Sequence, residues 1–224
     1  MARKRKYDIK GISKDGSIID AFEKLQVNIG LSSVDKKLQV IQITSSVQDE
    51  GKTTVAVNLA NSYAVKGAKV LLVDLDIRRP KVHRNFDKPN ENGLVDFAAG
   101  KIKKEDLIVH TKNNIDIILT GSKTPYPVKL LESDLIKSLL DEARQKYDYI
   151  ILDTPPVAVV VDPLIVSKLT DGVLFIVEAD RTKRTSIKEA IHLLEKAQAN
   201  IIGLVIKSVR DTADYKYKYK YKED

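Results

Sequence analysis

One stretch constrains this chain more than any other. The β-branched apolar run Gln39–Thr44 leads directly into Ser46-Val47-Gln48-Asp49-Glu50-Gly51-Lys52-Thr53-Thr54, which opens a helical pattern. The spacing is that of GxxxxGK[ST], with Ser46 in the first glycine place. Gly51 lets the backbone close on phosphates while successive N–H groups at the helix N-terminus point inward. Lys52 is placed to reach the β- and γ-phosphates, and the Thr53 hydroxyl to ligate Mg²⁺. Ser46, Asp49, Glu50 and Thr54 complete the expected cradle. A Gly-Lys-Thr in a plain turn is common by chance; the strand before it and the helix after it favour phosphate binding.

The rest of the chain repeats that alternation. Further strands are expected at Val70–Asp74, Ile115–Thr120, Tyr149–Asp153, Val173–Val177 and Ile201–Ile206, apolar on both faces as parallel strands between helix layers should be. Helices are expected at Thr53–Val65, Asp134–Lys146 and Ser186–Ala199. In the last, Ile187, Ala190, Ile191 and Leu194 form one stripe, and Ser133 stands as N-cap for the second. The expected fold is α/β: a single P-loop NTPase domain with a mostly parallel sheet and helices on both faces. Residues 1–16 read as a basic N-terminus, 17–210 as the domain, and 211–224 as a tail. Within the domain, Ser17–Leu31 forms a helical arm whose Ile18, Phe22, Leu25 and Ile29 are expected to dock on the body, with a subunit contact as the alternative. The segment 78–89 reads as a loop.

Two more strand ends carry carboxylates. Val70-Leu71-Leu72-Val73-Asp74-Leu75-Asp76-Ile77-Arg78-Arg79 puts Asp74 and Asp76 on one side of the chain. Paired acids ending an apolar strand need a cation or donors; Mg²⁺ with a substrate hydroxyl, or Arg78 and Arg79, would supply them. Asp153, ahead of Thr154-Pro155-Pro156, occupies the place of an acid that supports Mg²⁺. Ligands in open α/β sheets sit at the carboxyl ends of strands, where all three segments meet.

Composition excludes several classes. There is no Cys, so disulfides and Cys-based metal sites are out. The longest apolar runs, such as Val157–Val161, fall far short of the roughly 20 residues of a membrane helix. No apolar h-region follows the basic start, so an intracellular chain is expected. Most of the net charge of +7 lies at the ends, in Arg3-Lys4-Arg5-Lys6 and the four lysines of Tyr215–Asp224. The body offers neither a basic face nor an aromatic platform, so nucleic acid is not an expected partner. The closing residues alternate Tyr and Lys, a strand-like period whose lysines favour an extended tail without fixed structure. His83, His110 and His192 show no ligand spacing, and Tyr63, Tyr147 and Tyr149 flank core elements.

Together, the Asp-Leu-Asp-Ile-Arg segment, the Asp-Thr-Pro-Pro segment and the Tyr-rich tail resemble a bacterial tyrosine kinase of the BY-kinase type. The likeness is to the stand-alone cytoplasmic kind of Gram-positive capsule or exopolysaccharide systems. It runs from about Asp20 to the C-terminus and takes in Asn92-Gly93-Leu94, Gly121 with Pro125 and Pro127, and Leu130-Leu131-Glu132-Ser133. The resemblance implies that Lys52 and Thr53 bind the phosphates and Mg²⁺ of ATP. It makes Asp74 the acceptor of the tyrosine proton, with Asp76 and Asp153 on the metal. Tyr215, Tyr217, Tyr219 and Tyr221 would be phosphorylated by a neighbouring subunit. A membrane adaptor that activates the kinase at the inner face of the cell membrane is implied as well, as are self-association and other protein tyrosine substrates.

The chain departs from that pattern at three places. Asp49 stands where the family has Gly, and its carboxylate weakens phosphate binding unless it points away. Asp20, Glu23 and Gln26 replace the ring-forming Glu-x-x-Arg-x-x-Arg. Lys207-Ser208 replaces an adenine-contacting Asn-Lys pair, which leaves Lys207 as the expected base contact. Two rival readings are a partition or division-site ATPase, which requires a Lys where Val47 stands, and a non-catalytic adaptor that binds nucleotide weakly. Eukaryotic-type kinase chemistry is excluded by the absence of His-Arg-Asp and Asp-Phe-Gly segments.

Overall fold

Strands buried along their whole length, with side chains alternating between two helix layers, explain how the layers form. In the computed structural model, which describes residues 11–33, 37–111 and 113–207, the elements run in this order. Helix α1 (Gly16–Leu31) precedes β1 (Val40–Ser45), α2 (Lys52–Val65) and β2 (Val70–Asp74). Short helices α3 (Val82–Asn85), α4 (Leu94–Ala98) and α5 (Lys104–Leu107) lead to β3 (Ile108–His110) and β4 (Ile115–Ile118). Then come α6 (Pro127–Leu131), α7 (Asp134–Arg144), β5 (Tyr149–Asp153), α8 (Asp162–Ser167), β6 (Gly172–Glu178), α9 (Arg184–Lys196) and β7 (Ile201–Lys207).

The described strands form one sheet in the order β3-β4-β2-β5-β1-β6-β7, parallel except for the β3–β4 pair. On β2, Val70 and Leu72 face α1, α2 and α3. Leu71 and Val73 face α4 to α8. That is the period-2 division expected of a strand buried on both sides. A smaller cluster packs Val173, Phe175 and Val177 of β6 on Ala190 and Leu194 of α9. The arm docks as expected: Ile29 is buried, Phe22 and Leu25 lie against the main core, and Ile18 stays at the rim of a groove.

Four expectations change. An antiparallel edge strand, Ile108–His110, joins the sheet; three half-buried residues carry no readable period. The edge strand β7 is not covered on both faces, because Leu204 and Ile206 are exposed. The segment after Asp76 is not all loop, since Val82–Asn85 is helical. Ser133 holds the N-cap position of α7 without capping it; its hydroxyl donates to the Leu130 carbonyl at 2.6 Å. Tyr63 and Tyr149 stack at 3.8 Å, and the Tyr147 hydroxyl donates to Asp116, so all three are structural. No described helix is long and apolar enough to cross a membrane. Tyr215, Tyr217, Tyr219 and Tyr221, with Ser208 and the N-terminal basic run, lie outside the described residues.

Candidate active site

The C-terminal ends of β1, β2 and β5 open on one cleft of about 480 Å³. Its walls include Asp49, Gly51, Lys52, Thr53, Asp76 and Lys81, with Pro155, Pro156, Val159 and Val160 as an apolar side. The loop after β1 turns into α2 at Gly51, whose φ of 86° is left-handed and therefore suits glycine. A side chain there would also strike Lys207, whose Cδ lies 2.8 Å from the Cβ position. The first turn of α2 offers N–H groups with no intrahelical acceptor, and the helix dipole adds positive potential at that end.

Thr53 and Asp153 meet: Thr53 Oγ1 donates to Asp153 Oδ2 at 2.6 Å. Asp153 is 1% exposed, and its Oδ1 is buried with no hydrogen-bond partner. Burial pushes its pKa up to about 7, against the Thr53 hydrogen bond and the charge of Lys52. An orphaned carboxylate oxygen beside a threonine hydroxyl is a set of hard oxygen donors, which fits Mg²⁺ together with phosphate oxygens. Burial likewise pulls Lys52 down, opposed by Asp153, Asp76 and Glu50.

Asp74 and Asp76 divide their duties. Asp74 is fully buried and does not line the cleft. Its Oδ2 accepts the N–H groups of Lys81 (3.1 Å) and Val82 (3.0 Å), and its Oδ1 that of Asp76 (3.2 Å). It therefore folds the following segment back onto the strand end. Asp76 faces the cleft and accepts the Arg79 N–H at 3.0 Å. Arg78 makes its close ion pair with neither acid but with buried Asp162, in a two-pronged contact.

The other expected site residues divide between the loop interior and the cleft wall. The Glu50 carboxylate is buried inside the loop, where it accepts from the Ser46 hydroxyl, the Val47 N–H (2.8 Å) and the Thr182 hydroxyl. Ser46 is fully buried in that same contact. Both residues shape the loop, and any phosphate contact falls to backbone N–H groups. Lys207 lines the cleft, but its Nζ bonds Glu178 at 3.2 Å. Thr54 lines the cleft, and the Ser45 hydroxyl donates to the Val47 carbonyl. Asp49 takes φ 62° and pairs with Lys81 Nζ at 2.5 Å, away from the loop interior.

The sequence reading missed the clamp behind the loop. Glu178, at the end of β6, holds Lys207 and Arg181; Arg181 in turn donates to the Asp49 carbonyl at 3.0 Å. The only available signal was position, since Glu178 follows an apolar strand toward the same sheet edge.

The comparisons with known proteins agree with this geometry. The AAA domain family matches residues 38–206. The tyrosine-protein kinase YwqD of Bacillus subtilis is 32% identical over 201 residues, covering 88% of this chain and 85% of YwqD. This chain belongs to the bacterial tyrosine-protein kinase family. Among solved structures, the kinase domain of Escherichia coli tyrosine kinase Etk matches with a TM-score of 0.84 and 30% identity, covering 97% of this chain and 88% of that one. The chimerical protein CapA2B2 matches with a TM-score of 0.81 and 32% identity, covering 89% and 93%. The septum site-determining protein MinD of Pyrococcus horikoshii, complexed with Mg-ADP, is more distant, with a TM-score of 0.63, 25% identity and coverage of 75% and 69%. The P-loop fold these proteins share binds nucleotide with Mg²⁺.

Proposed function

We propose that this chain transfers the γ-phosphoryl group of Mg-ATP to tyrosine hydroxyls, including Tyr215, Tyr217, Tyr219 and Tyr221 of a neighbouring copy. One observation carries the reading: Thr53 and the half-unpaired, buried Asp153 meet beside Lys52 at the mouth of the phosphate loop. Thr53 and Asp153 would hold Mg²⁺, which would neutralise phosphate charge. Lys52 and the N–H groups of the α2 turn hold the β- and γ-phosphates. The tyrosine oxygen forms a bond to the γ-phosphorus as the bond to the ADP oxygen breaks.

The phenol proton needs an acceptor, because a group of pKa near 10 is a weak nucleophile at neutral pH. Asp76 is the acid on the cleft wall and takes that role in this reading. Asp74, named by the family resemblance, can do so only after it releases Lys81 and Val82. The wider role is that of a kinase regulating capsule or exopolysaccharide synthesis beside a membrane adaptor. Phosphate adds about −1.5 to −2 charge per tyrosine, so a fully modified tail changes from basic to acidic and changes its partners.

Incubation of the protein with labelled Mg-ATP, with and without a candidate adaptor, tests the proposal. Label on tyrosine that disappears when all four tail tyrosines become Phe is the expected result. Free phosphate without phosphotyrosine would favour a partition-type ATPase. No turnover in either condition would favour a nucleotide-binding adaptor.

A further inference from the structure

The loop that carries Lys52 and the segment that carries Asp76 are joined across the mouth of the cleft by two side-chain contacts. Lys81 Nζ meets Asp49 Oδ1 at 2.5 Å, and Arg79 Nη1 donates to Gln48 Oε1 at 2.6 Å. Asp49 is held on its other side, where its carbonyl accepts from Arg181. Lys81 is fixed at its root, where its N–H bonds buried Asp74. Only the outer halves of the ion pair are free to part, with side chains 58% and 43% exposed. Both residues line the cleft that Lys52, Thr53 and Asp76 share.

An exposed pair is held weakly and opens readily. A polyphosphate entering the cleft brings acceptor oxygens of higher charge than one carboxylate and competes for the same ammonium group. We propose that Asp49 is a built-in competitor of the nucleotide's phosphates for Lys81, so that the Asp49–Lys81 pair latches the two loops and sets nucleotide affinity. The proposal rests on the reading of the cleft as a nucleotide site. It assigns Lys81 two successive partners, Asp49 and then phosphate. Asp49 thereby acts on affinity through Lys81, and its own charge repels phosphate little while Lys81 neutralises it.

Titration with fluorescent ADP and ATP analogues in Mg²⁺ buffer tests this on four proteins: wild type, Asp49→Asn, Lys81→Met and the double variant. Asn keeps the left-handed backbone of position 49 accessible, and thermal unfolding checks that each variant is folded. Asp49→Asn should tighten ATP and ADP binding by about two- to five-fold, the range of an exposed ion pair. It should leave an adenosine analogue unchanged, and the gain should vanish in the Lys81→Met background. A gain of equal size in both backgrounds would mean direct repulsion and overturn the latch. So would no gain in either, or a gain that extends to adenosine. A wild type that binds no nucleotide would overturn the reading of the cleft, and the latch with it.

Discussion

Asp74 and Asp153 are register partners on the adjacent parallel strands β2 and β5, and neither is more than 1% exposed. Side by side, the two carboxylates meet opposite fates. Asp74 spends its oxygens on backbone N–H groups, while Asp153 keeps one oxygen without a partner next to Thr53. Desolvation first, and for Asp74 the charge of Asp153 next, pushes both above the usual carboxylate range. One strand end thus organises a loop, and its neighbour is left ready for a cation.

The first prediction concerns pH. Unfolded, Asp153 titrates near 3.8; folded, near 7. The native state binds the extra proton between those values, so this stabilisation is complete below the lower one and is lost as pH rises through the upper. In Mg²⁺-free, nucleotide-free buffer the urea midpoint should fall from about pH 5 to about pH 8, and Asp153→Asn should flatten the slope. Mg-ADP affinity should move the opposite way, rising with pH as the carboxylate ionises. A midpoint that rises in wild type over that range would contradict the assignment.

Lys52 sits at the cleft wall, only 8% exposed, with its charge disfavoured by burial. Lys52→Met keeps the length of the stem and removes the charge, so the thermal midpoint should not drop. Tail phosphorylation should fall by about two orders of magnitude or more, as when one preorganised electrostatic donor is removed. Quantitative phosphotyrosine labelling beside a melting curve measures both.

At Gly51 the left-handed backbone and the Lys207 stem both oppose a side chain. Gly51→Ala should cost about 1–2 kcal/mol through the backbone alone. Since Lys207 must also shift, the variant should bind nucleotide more weakly. Chemical denaturation and nucleotide titration on the same preparation would show whether the two losses occur together.

Asp74→Ala and Asp76→Ala separate scaffold from chemistry. Removing Asp74 orphans the N–H groups of Lys81 and Val82, at a cost of about 1–3 kcal/mol for a buried donor. Its thermal midpoint should fall. Asp76→Ala should leave the midpoint nearly unchanged and abolish transfer to tyrosine. If Asp74→Ala melts like wild type yet transfers nothing, the proton acceptor is Asp74.

Much of this was legible in the residues. Strands β1, β2, β5 and β6 fall within a residue or so of their apolar runs, because a buried parallel strand writes its whole length in β-branched residues. The three-residue β3 was not readable, since pairing with β4 rather than its own pattern makes it a strand. Glu50 and Ser46 read as ligands because the motif marks positions and not side-chain directions. Only the packed loop turns Glu50 inward onto Val47 and Thr182, and Ser46 onto Glu50.

By itself the sequence determined the mostly parallel sheet, the phosphate loop at one edge and the acids at the ends of two strands. These follow from local periods and from a motif eight residues long in the chain. Tertiary structure alone decided that Thr53 meets Asp153 across 100 residues, that Lys81 takes Asp49 across 32, and that Arg181 reaches Asp49 across 132. Such contacts depend on which strands lie side by side and how far each loop folds back, and no local pattern encodes either.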